Sequence, residues 1–253
     1  MMNRGGEQEP PQYQRNNTAE ASAADCLCLI GGNPSTRKSA IATDALACGS
    51  TARPLARWRR RSFANETYWG KPLPNFGVAP AGLLVVGLAP AAHGGNRTGR
   101  IFTGDRSGDW LYRALHKAGF ANQPHATHVG DGLELIDCAI TAACHCAPPD
   151  NKPTLEEIAS CRSFLEETFE LVRPSVVLAL GQIGWAAITK YYRERGLLAT
   201  NPKFGHGVQH RLPEGVTLLA SFHPSQRNTF TGKLTEPMFD SVFAAARRLV
   251  DQE

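Results

Sequence analysis

No apolar run in the 253-residue sequence approaches the roughly 18 residues that a membrane-crossing helix needs. The opening segment MMNRGGEQEPPQYQRNN has no apolar stretch, so no signal peptide is expected there. Charged residues are sparse, at 20%, while 42% are hydrophobic, a balance that excludes wholesale disorder. The GxGxxG spacing, the GK[ST] ending and the GxSxG elbow are all missing. Their absence removes support for dinucleotide binding, Walker-type phosphate binding and α/β-hydrolase chemistry. Net charge is small, at +4, and does not by itself announce a nucleic-acid partner. An even cysteine count is lacking too. Seven cysteines without a secretory signal argue against a disulfide framework and for a reducing cytoplasm.

What charge there is lies unevenly. Residues 1–80 hold ten basic and six acidic residues, and residues 81–253 hold 17 of each. The excess centres on Arg53, Arg57, Arg59, Arg60 and Arg61. Such a run reads either as a solvated basic face or as a phosphate-facing strip. Residues 1–24 are polar and read as a disordered tail. Residues 25–62 show no sustained period of either kind and form a divergent segment. An orderly pattern begins near residue 63 and continues to residue 253, as one domain.

Four continuous apolar runs predict buried parallel strands: Leu83–Leu88, Leu133–Ala139, Ser175–Leu180 and Val216–Phe222. Helical patterns fall between them. Ser107 is a candidate cap for a helix burying Leu111, Ala114, Leu115 and Ala118. Thr154 and Glu157 make a capping-box pattern for a helix that carries Ile158, Cys161, Leu165 and Val172 and stops before Pro174. Further helices are expected over about 182–193 and after Pro237. The fold class is therefore α/β, three layers with a central four-stranded parallel sheet. Ligands of such sheets bind at the carboxyl ends of the strands.

Three unusual loops follow the predicted strands and should converge there. They are APAAHGGNRTGRIFTGDRSGD after Leu88, ITAACHCAPPDNKPT after Ala139 and ASFHPSQRNTFTGKLT after Leu219. Glycines 94, 95 and 99 permit close backbone approach to a ligand. His223 stands directly after a strand, as a satisfied core residue or as a working imidazole.

At these loops the chain resembles the uracil-DNA glycosylase superfamily, and within it the type 5 prokaryotic branch. The residues that carry the resemblance are GLAPAAHGGNRTGRIFTGDRSGD (87–109), CAPPDNKPT (146–154) and HPSQRNTFTGKLT (223–235), with YWGKPLPNFG (68–77) as the lead-in. Coverage runs from about residue 62 to the end, roughly three quarters of the chain. The resemblance implies a DNA repair enzyme that hydrolyses the N-glycosidic bond of uracil and other deaminated bases in DNA, single- or double-stranded. It implies a cytoplasmic monomer with no membrane partner.

A base inside a duplex is out of reach, so the target nucleotide must be flipped into a pocket. Phe102 offers an aromatic face for the base, with Gly87 and Ala89 beside it. Phe102 could equally be a core residue. Asn151 suits a pyrimidine edge, or alternatively caps its own turn. His223 can stabilise the leaving base, and Asp105 can activate water, although Asp105 also suits a helix cap. The third position of the first motif is Ala89, where much of the superfamily carries an acid or amide. The type 5 branch shares that alanine, which shifts the catalytic weight to Asp105. Arg227, Asn228, Thr229 and Phe230 fall in the duplex-penetrating loop, and Lys233, Arg97 and Arg100 are expected at phosphates.

The branch also carries a 4Fe-4S cluster on four cysteines. Cys146 and Cys161 match two of the positions. The N-terminal CxxC pair is absent, leaving Cys48 and Cys28, with Cys26 alongside, for the others. Residues 25–62 depart from the family pattern by divergence or by a shifted reading frame. A non-catalytic damaged-DNA-binding relative with an incomplete cluster site is the alternative reading.

Overall fold

The computed structural model describes residues 61–252. The expectations for residues 1–24, for most of 25–62, and for Cys26, Cys28 and Cys48 lie outside the described residues.

The four apolar runs form the centre of one sheet: β2 (Leu83–Gly87), β3 (Cys138–Ala142), β4 (Val176–Leu180) and β6 (Thr217–Ser221). All five residues of each are buried, so both faces are covered. Two short strands flank them, β1 (Phe76–Gly77) and β5 (Gln209–Arg211). The order is β1-β3-β2-β4-β6-β5, with the inner four parallel and both edges antiparallel. The sheet is thus six-stranded and mixed, around the expected four-stranded parallel core. Leu83 pairs with both Cys138 and Val176, which fixes the register of the centre.

The helices lie on two faces. One core joins Leu83, Val85, Ile140 and Leu178 to Leu111 and Leu115 of α2 (Arg106–Lys117) and to Phe239 and Phe243 of α7 (Glu236–Val250). The other joins Leu84, Val86 and Val177 to Leu165 and Phe169 of α4 (Arg162–Val172) and to Trp185 and Ile188 of α5 (Gln182–Glu194). Alternate residues of each strand therefore serve opposite layers. Short helices α1 (Gly95–Thr98), α3 (Leu155–Ser160) and α6 (Gln226–Phe230) stand in the loops at the carboxyl edge.

Three local expectations are corrected. The run from Leu133 starts its strand only at Cys138, because Asp137 adopts a left-handed conformation (φ 50). The Asp137 carboxylate there accepts a hydrogen bond from Gly82 N at 2.6 Å. The capping box of Thr154 and Glu157 is present, but the helix it starts ends at Ser160 and α4 begins beyond Cys161. Finally, α2 is capped by Asp105 and not by Ser107. No helix among the described residues is long and apolar enough to cross a membrane.

Candidate active site

Strand β2 ends at Gly87, and the ring of Phe102 lies on that glycine. A Cβ at Gly87 would come within 2.9 Å of Phe102 Cζ. Phe102 itself has φ 53, so the loop turns sharply to bring the ring back over the strand end. Helix α2 packs hard against the same turn. A Cβ at Gly108 would lie 1.8 Å from the Phe102 carbonyl oxygen, which only glycine permits.

Asp105 uses its two carboxylate oxygens differently. Oδ1 accepts the N–H of Ser107 at 2.8 Å and of Gly108 at 3.2 Å, capping α2. Oδ2 accepts no hydrogen bond from the described residues and faces Gly94, where a Cβ would sit 2.2 Å from it. The two sequence readings of Asp105 are therefore compatible. One oxygen builds the helix start and the other stays open.

His223 follows β6, with its ring 6.0 Å from that of Phe102 and tilted by 31°. Its backbone oxygen accepts the side-chain amide of Asn228 at 2.9 Å. Gly181, after β4, leaves room for its Cβ, which a side chain there would approach to 3.3 Å. Neither ring nitrogen has a hydrogen-bond partner among the described residues. Burial pushes the imidazole down to about 4, so at neutral pH it is uncharged. A neutral imidazole offers one N–H to an acceptor and does not act as a cation.

Asn151 is exposed on the second loop, in a left-handed conformation (φ 55). Its Oδ1 accepts the N–H of Ala92 at 3.3 Å, linking the second loop to the first. The same Ala92 offers its carbonyl to the buried Asn96 side chain at 3.3 Å, so two side-chain amides hold one residue. Sequence reasoning missed Asn96, although it lies inside the GGNRTG run.

The basic residues divide. Arg100 is buried, and its guanidinium grips Asp131 through two hydrogen bonds of 2.9 and 2.6 Å and Thr103 through a third of 3.0 Å. Burial alone would raise the Asp131 carboxyl. The Arg100 hydrogen bonds and the N–H groups of Thr127 and Leu133 outweigh it and hold the carboxyl well below the usual range. Arg100 is thus corrected from a phosphate contact to the anchor of the 127–133 loop. Arg97 also turns inward, to Glu66 at 2.5 Å, to the carbonyls of His93 and Gly104, and onto the Phe63 ring. Arg227 and Lys233 are exposed, Lys233 lying 4.8 Å from the Phe222 ring. Phe230, at the end of α6, is 67% exposed and carries the guanidinium of Arg106 at 4.6 Å. Arg106 was passed over in the sequence because it adjoins Asp105 and reads as an ordinary first-turn residue.

Ala89 packs against the buried Cys144, Cys146 and Cys161, as does the partly buried Ile158. A hydrogen bond to Cys161, with burial, raises the Cys144 thiol. The CHC spacing carried the signal for Cys144, since alternate residues of extended backbone share a side. Among the described residues, no group of three or more His, Cys, Asp or Glu is arranged to hold a metal ion.

The loops thus gather an open carboxylate oxygen, an unpartnered neutral imidazole and an aromatic face at one sheet edge. Comparison with known proteins gives the family. The family model described as the uracil DNA glycosylase superfamily matches residues 74–247. The type-5 uracil-DNA glycosylase of Mycobacterium leprae is 49% identical over 194 residues, 76% of this chain and 83% of the relative. That of Pyrobaculum aerophilum is 47% identical over 186 residues, 74% of this chain and 77% of the relative. That of Thermus thermophilus is 46% identical over 192 residues, 76% of this chain and 86% of the relative.

Proposed function

Because the chain belongs to the uracil-DNA glycosylase superfamily, we propose that it excises uracil from DNA by hydrolysing the N-glycosidic bond, as a DNA repair enzyme. The observation that carries the reading is the pairing of an open Asp105 oxygen with an unpartnered His223 imidazole beside Phe102. The flipped base stacks on Phe102. As the bond from the base to the sugar breaks, the electron pair moves onto the base and positive charge develops on the sugar. His223, being neutral, donates a hydrogen bond to a base carbonyl oxygen and stabilises the departing anion. Asp105 Oδ2 orients the attacking water, accepts its proton and offsets the sugar charge. Asn151 holds the pyrimidine edge through its amide nitrogen while its oxygen keeps Ala92. Other deaminated bases, hypoxanthine among them, belong to the same reading, because they too offer His223 a carbonyl oxygen.

Arg227, Lys233 and Arg106 supply cations toward the backbone of the DNA, and Phe230 fills the space the base leaves. Incubation with a uracil-containing oligonucleotide should give alkali-sensitive breaks. His223→Ala and Asp105→Ala should lose cleavage while DNA binding persists. Full activity in both variants would refute the mechanism.

A 4Fe-4S cluster belongs to the same reading. Supporting it are two thiols of the expected set, Cys146 and Cys161, which are buried side by side with thiolate-donor chemistry. Cys28 and Cys48 would complete the set from the N-terminal segment. When bound, such a cluster would link that segment covalently to Cys146 and Cys161 through iron–thiolate bonds. Anaerobic purification should yield about four irons and four sulfides per chain, and fewer would count against it.

A further inference from the structure

His206 lies in none of the three loops that form the candidate site, yet it touches the residue next to His223. The N–H of Phe222 donates to His206 Nδ1 at 3.2 Å. Because Nδ1 accepts, the ring proton sits on Nε2, which lies 3.2 Å from the Met238 carbonyl oxygen on α7. On the Nδ1 side the Ser221 hydroxyl donates to the Phe222 carbonyl oxygen at 2.9 Å and lies 3.3 Å from Nδ1. The imidazole also packs on the Phe222 ring, with centroids 5.2 Å apart. One side chain thus joins the 199–208 loop, the end of β6 and the first turns of α7. Burial lowers the His206 imidazole, which keeps Nδ1 free to accept.

We propose that His206 is a positioning residue for His223: by holding the Phe222 peptide N–H it sets the direction in which the next side chain projects beside Phe102. Strand β6 ends at Ser221, whose carbonyl accepts the Gly181 N–H at 2.8 Å, and the N–H of the same peptide is left for His206 to accept. The proposal rests on the role assigned to His223 above. A purely structural tie would depend on the Nε2 bond to α7, whereas positioning depends on the Nδ1 bond to Phe222. Two variants separate the two bonds. Asparagine carries its amide oxygen near the place of Nδ1, and glutamine carries its amide nitrogen near the place of Nε2.

Single-turnover excision from a uracil oligonucleotide should fall about 10- to 100-fold in His206→Gln and His206→Ala, with His206→Asn within about threefold of the parent protein. DNA affinity should stay unchanged in all three. The ring resonances of His223 in long-range proton–nitrogen spectra should shift in His206→Gln and hold in His206→Asn. Full rate in His206→Gln, or losses that merely follow the unfolding midpoint across the series, would overturn the proposal. Should His223→Ala keep full activity, the reading of the site fails. The His223 ring spectrum would still decide whether His206 orients it.

Discussion

Asp105 shows how one residue can serve stability and chemistry without compromise. Its Oδ1 caps α2 through two backbone N–H groups, and its Oδ2 has no protein partner among the described residues. Asparagine is as good a cap as aspartate, so Asp105→Asn should leave stability within about 0.5 kcal/mol. Excision should nonetheless drop about 10²- to 10⁴-fold, because the amide cannot take a proton from water. Asp105→Ala should lose the cap as well, at a cost of about 1 kcal/mol. Urea unfolding read beside oligonucleotide cleavage separates the two effects. His223 makes a second prediction at this scale. Its folded value is about 4, against an unfolded value of about 6.5. Between those limits the unfolded chain binds more protons, so the free energy of unfolding increases as pH rises through the window. The same contribution is lost as pH falls from 6.5 toward 4. His223→Asn should reduce that slope, measured by urea unfolding at stepped pH, while His206, also lowered by burial, still contributes in the same sense.

Among the elements, α2 is the one on which the site leans. Its first turn is capped by Asp105, and its Gly108 lies directly under the Phe102 carbonyl. Gly108→Ala should cost about 1–3 kcal/mol through overpacking, and it should displace Phe102 enough to lower excision. Thermal unfolding and single-turnover rates on the same preparation would check both. The inner strands were legible from sequence because two covered faces demand continuous apolar runs, as in LLVVG. Strands β1 and β5 were not legible. The first is two residues long, and the second, QHR, faces solvent and carries no apolar signal. Ser107 masked Asp105 because both are cap formers and only the backbone decides between them. Of the site, the residues adjoining strand ends were legible. Those acting through tertiary contacts, His206 and Asn96, have no local pattern to find. Arg100 misled because its partner, Asp131, is 31 positions away.

Across the whole molecule, net charge of +4 says little about where DNA would lie. Two arginines of the first loop are committed inward, while Arg106, Arg227 and Lys233 face out. The salt dependence of DNA binding should reflect that division. Arg227→Ala and Lys233→Ala should each reduce the slope of log affinity against log salt by about 1. Arg100→Ala should leave the slope alone and instead destabilise the fold by about 3–5 kcal/mol, since it strands the buried Asp131 charge. Titrations at several salt concentrations, with unfolding curves alongside, distinguish these outcomes.

The bare Cα of Gly94 beneath Asp105 has a consequence for how this sequence can drift. Positions 94 and 105 form an epistatic pair: with aspartate at 105, any side chain at 94 collides with the open oxygen. A lineage that loses the acid at 105 is released from the glycine at 94, and once a larger residue has settled there, restoring the acid alone no longer restores the enzyme. The close approach therefore acts as a one-way valve on neutral exploration of sequence space.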